Sequence, residues 1–75
     1  MIYIKLFEGV INQVYAVQSI NLPAKIKNRL EAFGMINGTK FNILNKKKSA
    51  LIIIIRGTRL ALGKSIAENI EIREI

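Results

Sequence analysis

The stretch from Pro23 to Thr39, PAKIKNRLEAFGMINGT, constrains this chain most. It reads as one short helix that stops at a glycine, turns through a second glycine and feeds a strand. Ile26, Leu30 and Phe33 fall at i, i+4 and i+7, one face of a 3.6-residue period, and are assigned to the core. Lys25, Lys27, Asn28, Arg29 and Glu31 fill the solvated face. Pro23 suits the first helical turn, where its missing N–H costs nothing. Leu22 precedes a proline and is pushed away from helical angles, so the spacing predicts a helix from Pro23 to Phe33. Asn21 stands near the cap position, but its register with Pro23 is imperfect. Gly34 is placed to end the helix in the left-handed conformation that glycine adopts cheaply. Leu30 and Met35 then become the pair that touches in a Schellman stop. Asn37-Gly38 is a turn dipeptide before a strand. Gly34, Gly38 and Gly57 are therefore read as structural turns. No P-loop pattern stands here to cradle a phosphate.

Strand patterns fill both sides of the helix. Met1 to Leu6 alternates, with Ile2, Ile4 and Leu6 on one face. Glu8-Gly9 is a turn, and Val10 to Val17 is a second strand. Val14 and Ala16 face one way in it, Tyr15 and Val17 the other. Gln18 to Leu22 connects to the helix. Thr39 to Asn45 alternates again, with Phe41 and Ile43 inward. Lys46-Lys47-Lys48-Ser49 is a loop. Leu51 to Ile55 is short and β-branched, ends at the tight turn Arg56-Gly57-Thr58, and has Arg59 to Leu62 as its hairpin partner. Ser65 to Glu68 reads as a helical turn capped by Ser65. Ile70 and Ile72, alternating with Glu71 and Arg73, form the last strand. Five to six short strands with one small helix argue a mainly β fold, a small closed or nearly closed barrel.

The 75 residues make one small domain spanning 1–75. Such a domain is marginal unless its core is efficient, and 51% of the residues are hydrophobic. The chain has no cysteine and no histidine, and only five carboxylates. That excludes disulfides and a thiol nucleophile and disfavours a transition-metal site, so no metal and no cofactor is assigned. Glu8, Glu31, Glu68, Glu71 and Glu74 form no credible acid/base pair, and no catalytic residue is assigned. The longest apolar run, Ala50 to Ile55, falls far short of the ~20 residues of a membrane span. The N-terminus lacks the pattern of a signal peptide, so the expected location is the cytoplasm.

The formal net charge is +7. That biases the chain toward acidic partners. The charge concentrates between residues 25 and 48, where Lys25, Lys27, Arg29, Lys40, Lys46, Lys47 and Lys48 face Glu31 alone.

The layout resembles the FeoA family, the small cytoplasmic proteins that accompany the FeoB ferrous iron transporter. The resemblance covers essentially the whole chain. It rests on Gly9, Arg29-Leu30, Gly34-Met35, Gly38-Thr39, Arg56-Gly57, Leu60-Ala61-Leu62, Ala67, and the alternating Ile70 and Ile72. It implies an SH3-like barrel without a catalytic centre, acting in ferrous iron uptake by contact with the cytosolic side of the transporter. The protein would then sit at the inner membrane through that partner. The fold is also similar to the C-terminal domain of DtxR-type repressors. This chain opens at a methionine and shows no helix-turn-helix region, so a free-standing FeoA-like protein is the expectation. It departs from the family at Ala50, where a proline is common, and at Ile52 and Ile54, where polar residues are common.

These residues carry the partner expectations. With Leu51, Ile53 and Ile55 inward, period two puts Ile52 and Ile54 outside. They are then either covered within the monomer or form a surface for self-association or a partner. Lys46, Lys47 and Lys48 are either a solvated loop or a landing site for an acidic partner, anionic headgroups or nucleic acid. Nucleic acid is disfavoured, because stacking needs free aromatics beside the charge. Arg56 and Arg59 flank the Gly57 turn and complete the candidate partner surface. The alternatives to a transporter accessory are a basic nucleic-acid binder and a metal-responsive regulatory module.

Overall fold

The computed structural model describes residues 2–75. In chain order it contains β1 (Tyr3–Lys5), a 3-10 turn (Leu6–Glu8), β2 (Val14–Ile20), α1 (Ala24–Ala32) and β3 (Lys40–Lys46). There follow β4 (Ala50–Ile55), β5 (Thr58–Gly63), α2 (Lys64–Ala67) and β6 (Ile70–Glu74). The strands form one antiparallel sheet in the order β1-β6-β2-β3-β4-β5. This is the mainly β, SH3-like barrel the sequence predicts.

The core follows from the period of two along each strand. Tyr15, Phe41 and Ile55 lie side by side across β2, β3 and β4, all buried. The Tyr15 and Phe41 rings meet with centroids 6.1 Å apart. Ile43, Leu51, Ile53, Ile70 and Ile72 are buried with them in the same cluster. Among the described residues no ladder joins the edge strands β1 and β5; α2 lies on that side, against β5, β4 and the 3-10 turn.

The α1 stop is a Schellman turn, as read from the sequence. The Gly34 N–H donates to the Glu31 carbonyl at 2.9 Å and the Met35 N–H to the Leu30 carbonyl at 3.2 Å. Gly34 has φ +102° and Gly38 +91°. Two details differ. Pro23 is the N-cap, not the first helical residue, and its carbonyl accepts the Ile26 and Lys27 N–H groups. Phe33 is the C-cap and is 45% exposed, while the turn delivers Met35 to the core in full burial. The helix ends before its third apolar position can swing inward.

β2 is shifted from its expected span. Residues 10–13 form a loop, held by the Asn12 N–H on the Ile43 carbonyl at 2.8 Å, with Asn12 itself at φ +71°. Ser19 and Ile20, expected to connect, instead pair with Glu71 and Ile70 of β6 across a bulge. Ladder partners from the end of the chain override local pattern here. β1 is likewise shorter than expected. Leu6 leaves the ladder in the 3-10 turn, where the Glu8 carboxylate accepts the Lys5 N–H at 3.0 Å. Leu6 is still fully buried, Ile2 is exposed, and Met1 lies outside the described residues. α2 starts one residue earlier than read, with Gly63 rather than Ser65 at its cap. The Lys64 N–H, bonded to the Ser49 carbonyl at 2.8 Å, fixes that start.

The Tyr15 hydroxyl is buried and accepts the Val10 N–H at 2.9 Å, tying the 10–13 loop to the core. Tyr15→Phe is expected to cost about 1 kcal/mol. That is about 4–8 °C in Tm for a domain of this size. Thermal unfolding followed by circular dichroism checks it; an unchanged midpoint would show that the bond contributes nothing.

Candidate functional site

β4 organises the candidate surface. Leu51, Ile53 and Ile55 point into the barrel and are buried, which leaves Ile52 and Ile54 on the outer face, half-buried. Directly opposite neighbours share a face. One outer row therefore runs Val14, Asn42, Ile54, Arg59, and the next holds Ile52 against Ala61. Leu44, at a bulge in β3, lies half-buried beside them. Ile52 and Ile54 are not among the side chains packed on the core. The apolar strip is therefore part of the outer surface.

Its two ends are cationic. At one end Lys47 and Lys48 are exposed in the β3–β4 hairpin, closed by the Lys47 N–H on the Ala50 carbonyl at 2.7 Å. Lys46 is no loop residue. It ends β3 opposite the buried Leu51, is itself half-buried, and sets its ammonium 5.5 Å from the centroid of the Phe7 ring. At the other end Arg56 and Gly57 form a two-residue hairpin loop with φ +50° and +79°. Positive φ at both positions is the type I′ geometry that suits a twisted hairpin. Arg59 lies exposed beside Ile54.

Arg56 also has a structural contact. Its aliphatic stem lies over Gly34, where a Cβ would collide with the Arg56 Cδ. The Arg56 turn thus braces the C-terminal end of α1, where unpaired carbonyls and the helix dipole favour a cation. Arg56 is therefore both a rim charge and a brace, whereas Ile52, Ile54 and Arg59 share the outer face proper.

Other contributors were not visible in the sequence. Val14 and Ala61 join the strip only through the ladder. Phe7 and Lys64 meet Lys46 through the packing of the 3-10 turn on α2. Arg73 Nη1 donates to the Val17 carbonyl and the Gln18 Oε1, at 3.1 and 2.6 Å.

A groove of about 320 Å³ runs between α1 and the second half of β2, lined by Gln18, Ser19, Lys27, Glu31, Ile36 and Asn37. Of its titratable side chains Lys27 is exposed and Glu31 half-buried. The Ser19 hydroxyl donates to the Glu71 carboxylate at 2.9 Å. Among the described residues no three or more His, Cys, Asp or Glu gather into a metal-holding group. Among the described residues no helix is long and apolar enough to cross a membrane.

The outer face of the sheet thus carries an apolar strand between two cationic ends. The chain belongs to the FeoA family: the FeoA domain matches residues 5–74. Solved structures agree in fold. A crystal structure of an iron uptake regulatory protein, FeoA, is 22% identical, with each chain covered in full and a TM-score of 0.87. A FeoA-like protein from Clostridium acetobutylicum is 26% identical over 100% of this chain and 90% of that one, with a TM-score of 0.83. A manganese-dependent transcriptional repressor is 13% identical over 97% of this chain and 42% of its own length, with a TM-score of 0.86. The expected likeness to metal-dependent repressors is thus a likeness of fold. Among curated protein sequences none matches this chain.

Proposed function

We propose that this protein assists ferrous iron uptake by binding the cytosolic part of a FeoB-type transporter, and that it acts by contact, without chemistry of its own. The family supports the process. The observation that carries the contact is the strip of Ile52 and Ile54 on the outer face of β4, with Arg59 beside it and Lys47 and Lys48 at its far end. An apolar centre with a polar, charged rim is the usual anatomy of a protein interface. The ladder spaces the charges along the strand, so an acidic partner would meet both ends while the isoleucines desolvate between them.

The test is binding of the purified chain to its host's transporter, full length in detergent, at near-physiological salt. Saturable binding is expected, weakened roughly 10–100-fold by Ile52→Ser with Ile54→Ser, as for two residues at the centre of an interface. Wild-type binding that survives both substitutions would move the contact to another face. A folded protein that does not bind at tens of micromolar would remove the proposal.

A further inference from the structure

One rim of the barrel meets the strip only at Lys47 and Lys48 and has a chemistry of its own. The 3-10 turn, the 10–13 loop, the Lys46 end of β3, the hairpin after it and the start of α2 all converge there. The contacts that assemble it are specific. Lys46 and Lys64 each hold an ammonium 5.5 Å from the centroid of the same Phe7 ring. The Lys64 N–H is bonded to the Ser49 carbonyl of the hairpin, which brings Lys47 and Lys48 to the same rim. The Asn12 N–H is bonded to the Ile43 carbonyl, which lays the 10–13 loop, three residues on from Phe7 in the chain, along β3. On that loop Val10 is 58% exposed and Ile11 40%. The nearest carboxylate in sequence, Glu8, is engaged by the Lys5 N–H.

We propose that this rim docks on an anionic membrane surface, with Lys46, Lys47, Lys48 and Lys64 on lipid headgroups and Val10 and Ile11 entering the boundary between headgroups and acyl chains.

The choice of charge favours a membrane over a shaped partner. Arginine presents a rigid fork that matches single carboxylates and phosphates, whereas lysine is a point charge on a flexible stem. The cations of this rim are lysines; Arg29, Arg56, Arg59 and Arg73 lie on α1, the far hairpin, β5 and β6. Flexible point charges suit a fluid, diffuse negative surface. Val10 and Ile11 stand out on a loop as exposed aliphatics, and apolar area buried at the headgroup boundary adds to the attraction between cations and anionic lipid. Stacked bases would need a free aromatic face, and both ammoniums already sit at the Phe7 ring. A second copy of the chain would bring like charges together. Docking here leaves Ile52, Ile54 and Arg59 open on the outer face of β4. It shares only Lys47 and Lys48 with the proposed transporter contact, leaves the apolar centre of that contact free, and does not rest on it.

Flotation with vesicles tests this, using the whole purified chain at near-physiological salt. Vesicles contain either phosphatidylcholine alone or phosphatidylcholine with phosphatidylglycerol. Binding is expected to the anionic vesicles and to fall steeply as salt rises. At about 1 kcal/mol per lysine near the surface, Lys47→Gln with Lys48→Gln should weaken it roughly 25-fold. Lys25→Gln with Lys40→Gln removes the same charge from elsewhere and should change it far less. Val10→Ser with Ile11→Ser should also weaken it at unchanged net charge. All four lysines in these variants are exposed, so folding is not at stake. Equal partition into neutral vesicles, no partition into anionic ones, or equal loss in both lysine pairs would overturn the proposal. So would retention by single-stranded RNA or an acidic polypeptide with no partition into vesicles. The vesicles hold no protein, so failure here leaves the transporter contact untouched.

Discussion

Gly34→Ala is expected to lower Tm by about 8–40 °C. Gly34 sits at φ +102° as the C′ residue of the α1 stop. An L side chain in the left-handed region costs about 1–2 kcal/mol. A Cβ at this position would also meet the Arg56 Cδ, and the Arg56 Nη1 lies 3.6 Å away. Relieving that collision means moving either the hairpin turn or the end of α1, and overpacking of this kind costs about 1–3 kcal/mol. The total is a large part of the stability of a small domain, which amounts to ~0.05–0.15 kcal/mol per residue. At 4–8 °C per kcal/mol, the midpoint shift follows.

The double variant separates the two causes. Arg56→Gly removes the stem from Gly34 and also relieves Arg56, which itself holds φ +50°. Gly34→Ala in the Arg56→Gly background should therefore cost about half of what it costs alone. An undiminished cost would assign the whole effect to backbone strain. A Gly34→Ala protein as stable as the parent would refute the stop as described.

The fold was legible where local signals and the ladder agree. The alternation of Leu51, Ile53 and Ile55 and the Gly34 stop each combine a periodicity with a backbone requirement, and each stands as read; the turn read over residues 56–58 closes at Arg56-Gly57, with Thr58 already in β5. The fold was illegible where long-range partners decide. Val10 and Ile11 carry strong strand propensity, yet lie in a loop because β6 takes Ser19 and Ile20 into the ladder instead. Phe33 follows the helical period but falls on the cap residue, and Met35 enters the core in its place.

The candidate surface divides in the same way. Ile52 and Ile54 were visible as outward residues because a strand has only two faces. The lysine run was visible as charge but not as structure. Lys46 belongs to the strand and turns to Phe7, while Lys47 and Lys48 remain in solvent. Period two separates Lys46 from Lys47 just as it separates Ile53 from Ile54, but a run of identical side chains gives no sign of where the strand ends. Lys64 and Phe7 are brought to Lys46 across most of the chain, and no sequence pattern marks that meeting.

The second large effect belongs to Ile53. It is fully buried in β4, opposite Ile43 on one side and Leu60 on the other. Ile53→Ala removes three methyl or methylene groups from a packed interior and is expected to cost about 2–5 kcal/mol. That again lowers Tm by about 8–40 °C. Ile54→Ala, one residue along on the outer face, should cost under about 1 kcal/mol, because the lost side chain leaves no enclosed cavity. Urea unfolding of both variants, with m-values compared, gives the contrast directly. A one-residue slip of β4 would exchange the two outcomes, since it moves every side chain of the strand to the opposite face. The same pair then divides stability from recognition. Ile53→Ala should bind the transporter with parental affinity wherever it is folded, whereas Ile54→Ala should stay folded and bind less. Equal loss of binding in both, at temperatures where both are folded, would mean that the outer face of β4 has no special role in the contact.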